Sequence, residues 1–147
     1  MNKAKSFLQQ VDHPRVIAAI GAAEKNTSGE IRVWVTDRDR PDALATAKGR
    51  FLKLRMDRTR HRNAVLIFIA PRSRTFAVVG DIGIDEKTGE KFWVDVRDAM
   101  KDHLRGGHYT EAILHAIETA GARLAEHFPV DPDGRNENEL PNEIIGD

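Results

Sequence analysis

The segment from Asn63 to Ala70 reads Asn-Ala-Val-Leu-Ile-Phe-Ile-Ala, an apolar run with no alternation. A strand with one wet face alternates, whereas a strand covered on both faces reads as a continuous run. The run is also far shorter than the roughly 20 residues a membrane-spanning helix needs. It therefore predicts a central strand in a sheet with helices on both sides. The rest of the chain must supply those helices and at least two flanking strands.

The flanking elements are readable from spacing. Asp12 is placed to cap a helix with Pro14 in its first turn, and Val16, Ile17, Ile20 and Ala23 form its apolar face. Glu30 to Thr36 alternates, with Ile31, Val33 and Val35 on one side, and predicts a strand. Pro41 opens a second helix with Leu44, Ala47, Phe51 and Leu54 inward. After the central strand, Pro71 to Arg74 is a turn and Thr75 to Gly80 a returning strand. A third helix is expected from about Asp85 to Leu104, with Trp93, Val96, Met100 and Leu104 inward. Gly106-Gly107 breaks it, and Thr110 caps a fourth helix ended by Pro129. A β-α-β crossover followed by a hairpin makes a small mixed sheet in a three-layer α/β/α sandwich. At 147 residues the chain suits one domain.

Composition excludes several classes of function. The chain has no cysteine, so it holds no disulfide scaffold, thiolate metal site or cysteine nucleophile. Basic and acidic residues number 23 each, so no global field draws it to nucleic acid or an anionic membrane. The first ten residues carry positive charge without an apolar h-region, and the reading is a soluble, cytoplasmic protein. No phosphate loop, dinucleotide fingerprint, zincin helix or nucleophile elbow is present.

The balanced total hides two opposite segments. Lys48, Arg50, Lys53, Arg55, Arg58, Arg60 and Arg62 face only Asp57 in their stretch. Residues 131–147 hold six acids and one base, with Pro132, Gly134 and Pro141 among them. The basic stretch reads as a solvated helix face and loop. Binding of nucleic acid or an acidic partner through it is a secondary alternative, and so is coverage by the acidic tail. Leu140, Ile144 and Ile145 are the tail's candidate docking residues.

The topology places chemistry at one edge of the sheet. Both parallel strands start there, at Glu30 and Asn63, and the returning strand ends there, at Gly80-Asp81. The segments around Ser28-Gly29-Glu30, Arg60-His61-Arg62-Asn63 and Gly80-Asp81-Ile82-Gly83 should therefore converge, and the next helix brings Asp85, Glu86 or Glu90. Calcium and magnesium take oxygen ligands from carboxylates, amides and carbonyls. Glu30, Asn63, Asp81, Asp85 and Glu90 are the candidate metal ligands. His61 is placed to donate a proton and Arg62 to clamp a phosphate, should one bind. No nucleophile stands out, so no catalytic residue is assigned.

Gly29-Glu30-Ile31-Arg32-Val33, Arg62-Asn63-Ala64-Val65-Leu66-Ile67, Phe76 to Gly83 and Gly106-Gly107-His108-Tyr109-Thr110-Glu111-Ala112 occur in that order. Together they resemble the TPM domain, a family that includes thylakoid-lumen proteins of photosystem II repair and many bacterial proteins. The stretch from Glu24 to Ile31 and the tail from Asn138 to Ile144 look closest to its short, soluble bacterial branch. The resemblance spans residues 12–128 and suggests a TPM-like domain over residues 1–130 with an acidic tail over 131–147. It implies an α/β/α sandwich and a bound divalent cation, calcium first and magnesium second. The leading reading is a cation-binding domain that serves as an interaction or quality-control module with an unidentified protein partner. The alternative, implied by the resemblance, is a metal-assisted acid phosphatase.

Overall fold

The computed structural model describes residues 6–132 and 139–147. Gly134 and the rest of residues 133–138 of the acidic tail lie outside the described residues. The central run forms β2 (Ala64–Ala70), and all seven of its residues are buried. β1 (Glu30–Val35) runs parallel to it, and β3 (Thr75–Gly80) returns antiparallel. A fourth strand, β4 (Ile145–Gly146), pairs parallel to β1 at Trp34 and Val35, giving the order β3-β2-β1-β4.

Helices cover both faces, as the double burial of β2 requires. On one face, α1 (His13–Glu24), α4 (Glu90–Arg105) and α5 (Tyr109–His127) pack over Ile31, Val33, Val35, Val65, Ile67 and Ile69. On the other, α2 (Ala43–Lys53) places Ala43, Ala47 and Phe51 over Trp34, Leu66 and Phe68. The mixed sheet between helical layers is the α/β/α sandwich expected from the sequence. No described helix is long and apolar enough to cross a membrane.

Four local expectations change. The single helix predicted from Asp85 to Leu104 is two: α3 (Ile82–Thr88) and α4, separated at Gly89. Gly89 adopts φ +63°, and its N–H closes α3 on the Asp85 carbonyl. A left-handed break of this kind suits glycine. Thr110 does not cap α5. Its hydroxyl accepts the Asp12 N–H at 3.0 Å, tying the starts of α1 and α5 together. Leu44, expected inward, is 49 % exposed. The fourth strand is an addition to the expected sheet, because two residues are too few to display a period.

Candidate functional site

The three segments do meet at one sheet edge. Glu30 is paired with Ala64 in the parallel ladder. The Asp81 N–H donates to the Ala64 carbonyl at 3.0 Å, and the Gly83 N–H to the Arg62 carbonyl at 2.9 Å. Gly83 permits this approach. A Cβ there would stand 2.5 Å from the His61 carbonyl oxygen and 2.6 Å from that of Arg62. Gly83→Ala is therefore expected to cost about 2 kcal/mol through overpacking against backbone, read as a fall in the unfolding midpoint.

The predicted ligands share this edge but engage different partners. Asp81 is buried and caps α3 by accepting the Ile82 N–H at 2.8 Å. Its two oxygens also accept from Arg62 Nε at 2.6 Å and Nη2 at 2.8 Å. This fork-to-carboxylate pairing is the strong geometry for an ion pair, and hydrogen bonding to Asp81 raises the Arg62 pKa. Arg62 itself sits at φ +52°. Asn63 turns its amide to the Ser28 hydroxyl, 3.2 Å away. Asp85 accepts the Trp93 indole N–H at 2.6 Å. Glu90 opens α4, exposed, beside the same cleft as Asp85 and Trp93. His61 lies at the edge as expected, with Nε2 2.7 Å from the Asp131 carboxylate. Among the described residues, no three His, Asp or Glu side chains are placed together to hold an ion.

Glu30 is the unusual member. Only 3 % exposed, it accepts the Leu140 N–H on Oε1 at 2.7 Å. Its Oε2 is buried and makes no hydrogen bond. Burial pushes its pKa up to about 7, against backbone hydrogen bonding from Leu140 and Glu139, and the charges of Glu139 and Glu24 push upward as well. Glu24, at the end of α1, is likewise raised to about 7 by burial, although it accepts the Ile31 N–H at 2.9 Å. Spacing alone does not point to Glu24 or Glu139. The available signal is the tight Glu24-to-Glu30 connection, which folds one carboxylate back toward the other.

The acidic tail meets the basic stretch. Asp147 pairs with Arg50 at 3.1 Å and accepts the Trp34 indole N–H at 3.0 Å. Arg50 in turn lies 4.3 Å over the Trp34 ring. Asp131 pairs with Arg60 at 3.5 Å, and Glu139 accepts the Arg60 N–H at 3.2 Å.

Comparison with known proteins identifies the family. The TPM domain model matches residues 1–123. The chain belongs to the TPM domain family. This TPM domain is similar to the BA42 protein of the psychrophilic bacterium Bizionia argentinensis, known from an NMR structure. The two are 37% identical over 100% of both chains, with a TM-score of 0.88. It also shares its fold with the N-terminal domain of a P. gingivalis protein. That match has 17% identity, covers 78% of this chain and 76% of the other, and has a TM-score of 0.52. No curated protein matches the chain.

Proposed function

We propose that this TPM domain binds a divalent cation, calcium before magnesium, at the sheet edge where β1 and β2 begin, and serves as an interaction or quality-control module. The observation that supports the reading is Glu30, a buried carboxylate with one oxygen that makes no hydrogen bond. Burying a carboxylate without a partner costs several kcal/mol, and a hard cation is the partner that oxygen chemistry favours. Asn63, Asp81, Asp85 and Glu90 are the remaining candidates. Asp81 would have to exchange Arg62, whose side chain is 48 % exposed.

The test is thermal unfolding at pH 8 of EDTA-treated protein, with and without millimolar calcium or magnesium. At a concentration 100 times Kd, one bound ion adds ~2.7 kcal/mol by mass action. For a chain of this size the midpoint should rise by about 5–10 °C. A rise lost in Glu30→Gln and kept in Asp81→Ala assigns the ion to the Glu30 side. The converse assigns it to Asp81. No shift with either ion overturns the cation reading. The same samples assayed with p-nitrophenyl phosphate test the hydrolytic alternative, whose sign is calcium-dependent turnover lost in Asp81→Ala.

A further inference from the structure

β3 is an outer strand of the sheet, and no described strand lies beyond it. Its register shows which backbone groups are left open. Asp81 and Ala64 are hydrogen-bonded opposite one another, and the ladder pairs Val79 with Leu66, Ala77 with Phe68 and Thr75 with Ala70. In an antiparallel pair, hydrogen-bonded positions alternate. Thr75, Ala77 and Val79 therefore bond inward to β2. Phe76, Val78 and Gly80 direct their N–H and C=O groups outward. The strand reads Thr-Phe-Ala-Val-Val-Gly, with none of the charges or prolines that usually blunt an edge.

The edge lies in a groove and not on a bare margin. At the start of β3 a cavity of about 570 Å³ is lined by Phe76, Leu104 and Tyr109 and ringed by Arg74, Lys101 and Arg105. No carboxylate lines this cavity among the described residues. Lys101 reaches Asp98 at 3.4 Å on its own helix, an exposed pair of little strength. Toward the end of β3 a second cleft of about 430 Å³ continues past Val78 and Trp93, with Leu44 and Lys48 on one wall and Arg97 on the other. Asp85, which accepts the Trp93 indole N–H, and Glu90 also line it and balance its two cations. Phe76 is common to both cavities. The groove thus runs the length of the strand, apolar at its floor, with a basic rim around the cavity at the start of β3.

We propose that the open edge of β3 takes up an extended acidic peptide segment of a partner protein as an added strand. Main-chain bonds to Phe76, Val78 and Gly80 would carry affinity, as in other strand-addition complexes. A large apolar side chain enters the cavity at Phe76, Leu104 and Tyr109, and carboxylates meet Arg74, Arg97, Lys101 and Arg105. Parallel pairing of β3 with a second copy would bring the two sets of cations together, and antiparallel pairing of two copies is distinguished below by self-association without peptide. The protein's own acidic tail is engaged elsewhere, where β4 lies on the opposite margin of the sheet. The proposal rests on the interaction-module part of the function above; Asp85 and Glu90, candidates for the cation too, line the far end of the groove, so it is tested without calcium.

The test uses the full chain in EDTA and the labelled heptapeptide Glu-Val-Glu-Phe-Glu-Val-Glu, followed by fluorescence anisotropy and amide hydrogen exchange. Saturable binding below ~1 mM is expected, with new exchange protection at Phe76, Val78 and Gly80. The Arg74→Glu and Arg105→Glu double variant alters only exposed side chains and should keep its unfolding midpoint while weakening binding by about tenfold or more. Comparing peptides with free and amidated C-termini separates a terminal carboxylate from side-chain carboxylates as the group held. The proposal is overturned by absence of binding to ~1 mM, by equal binding of the peptide with lysine in place of glutamate, or by protection confined to other strands. It is also overturned if the same amides become protected on self-association without peptide. Because calcium is absent throughout, failure here leaves the cation reading standing, and failure of the cation reading leaves this one.

Discussion

Between pH 5 and pH 8 the domain should lose about 3 kcal/mol of stability, an unusual direction for a protein whose other carboxylates are mostly exposed or paired. Glu24 and Glu30 are both raised from 4.5 to about 7 by burial. A carboxyl group with a raised folded pKa holds its proton more tightly folded than unfolded. Its stabilising contribution is therefore fully present below about pH 4.5, and it is lost as pH rises through about 7. Each tenfold gain in proton affinity on folding is worth ~1.4 kcal/mol before screening. The figure of ~3 kcal/mol for the pair allows for mutual coupling and for the partial solvent access of Glu24. Urea unfolding in steps across that range measures it. Glu30→Gln keeps the shape and removes the charge, and its amide N–H can donate toward Glu24 and Glu139. The variant should match the parent at pH 5 and exceed it by about 1–2 kcal/mol at pH 8. A parent curve that is flat from pH 5 to pH 8, or a variant less stable than the parent at pH 8, would remove Glu30 from this role. In the cation reading, calcium should raise the parent more at pH 8 than at pH 5, because binding competes with the proton.

Much of the scaffold is legible in the sequence because it rests on periodicity. β2 reads as doubly covered from its unbroken apolar run, and that one inference requires helices on both faces. The convergence of Glu30, Asn63 and Asp81 follows from strand direction alone. Features that depend on one or two residues escape. Gly89 splits a helix whose apolar spacing continues across the break, so the pattern suggests one rod. Ile145–Gly146 is too short to alternate. Thr110 sits where a cap would, but its hydroxyl is taken by the distant Asp12 backbone, a tertiary choice that local sequence does not encode. The same limit applies to the site. Spacing brings the acidic and basic groups to one margin, but which partner each takes is decided by packing. Arg62 claims Asp81, Trp93 claims Asp85, and Glu30 is sealed beneath Leu140 by a segment 110 residues later.

That seal makes the end of the chain a structural part, and shortening the protein to residues 1–138 should cost about 3–5 kcal/mol. The expected loss has several sources. Leu140 and Ile145 pack against the cluster around Trp34 and Phe68, and Ile144 packs against the opposite core. Partly burying three such side chains is worth ~1 kcal/mol each. Removing Asp147 leaves the Trp34 indole N–H without its acceptor, and a buried donor stranded in this way costs ~1–3 kcal/mol if water cannot replace the partner. The Arg50–Asp147 pair adds little, being partly exposed. One consequence opposes the rest. Without Leu140, Glu30 opens to water and its pKa falls toward the ordinary range, which returns some stability at high pH. The shortened chain should therefore show a midpoint lower by about 10 °C at pH 5, a smaller deficit at pH 8, and a flattened pH profile. Thermal unfolding at the two pH values measures all three. Equal deficits at pH 5 and pH 8 would separate the tail from the Glu30 carboxylate. A midpoint within about a degree of the parent would make residues 139–147 an appendage and not a layer of the fold.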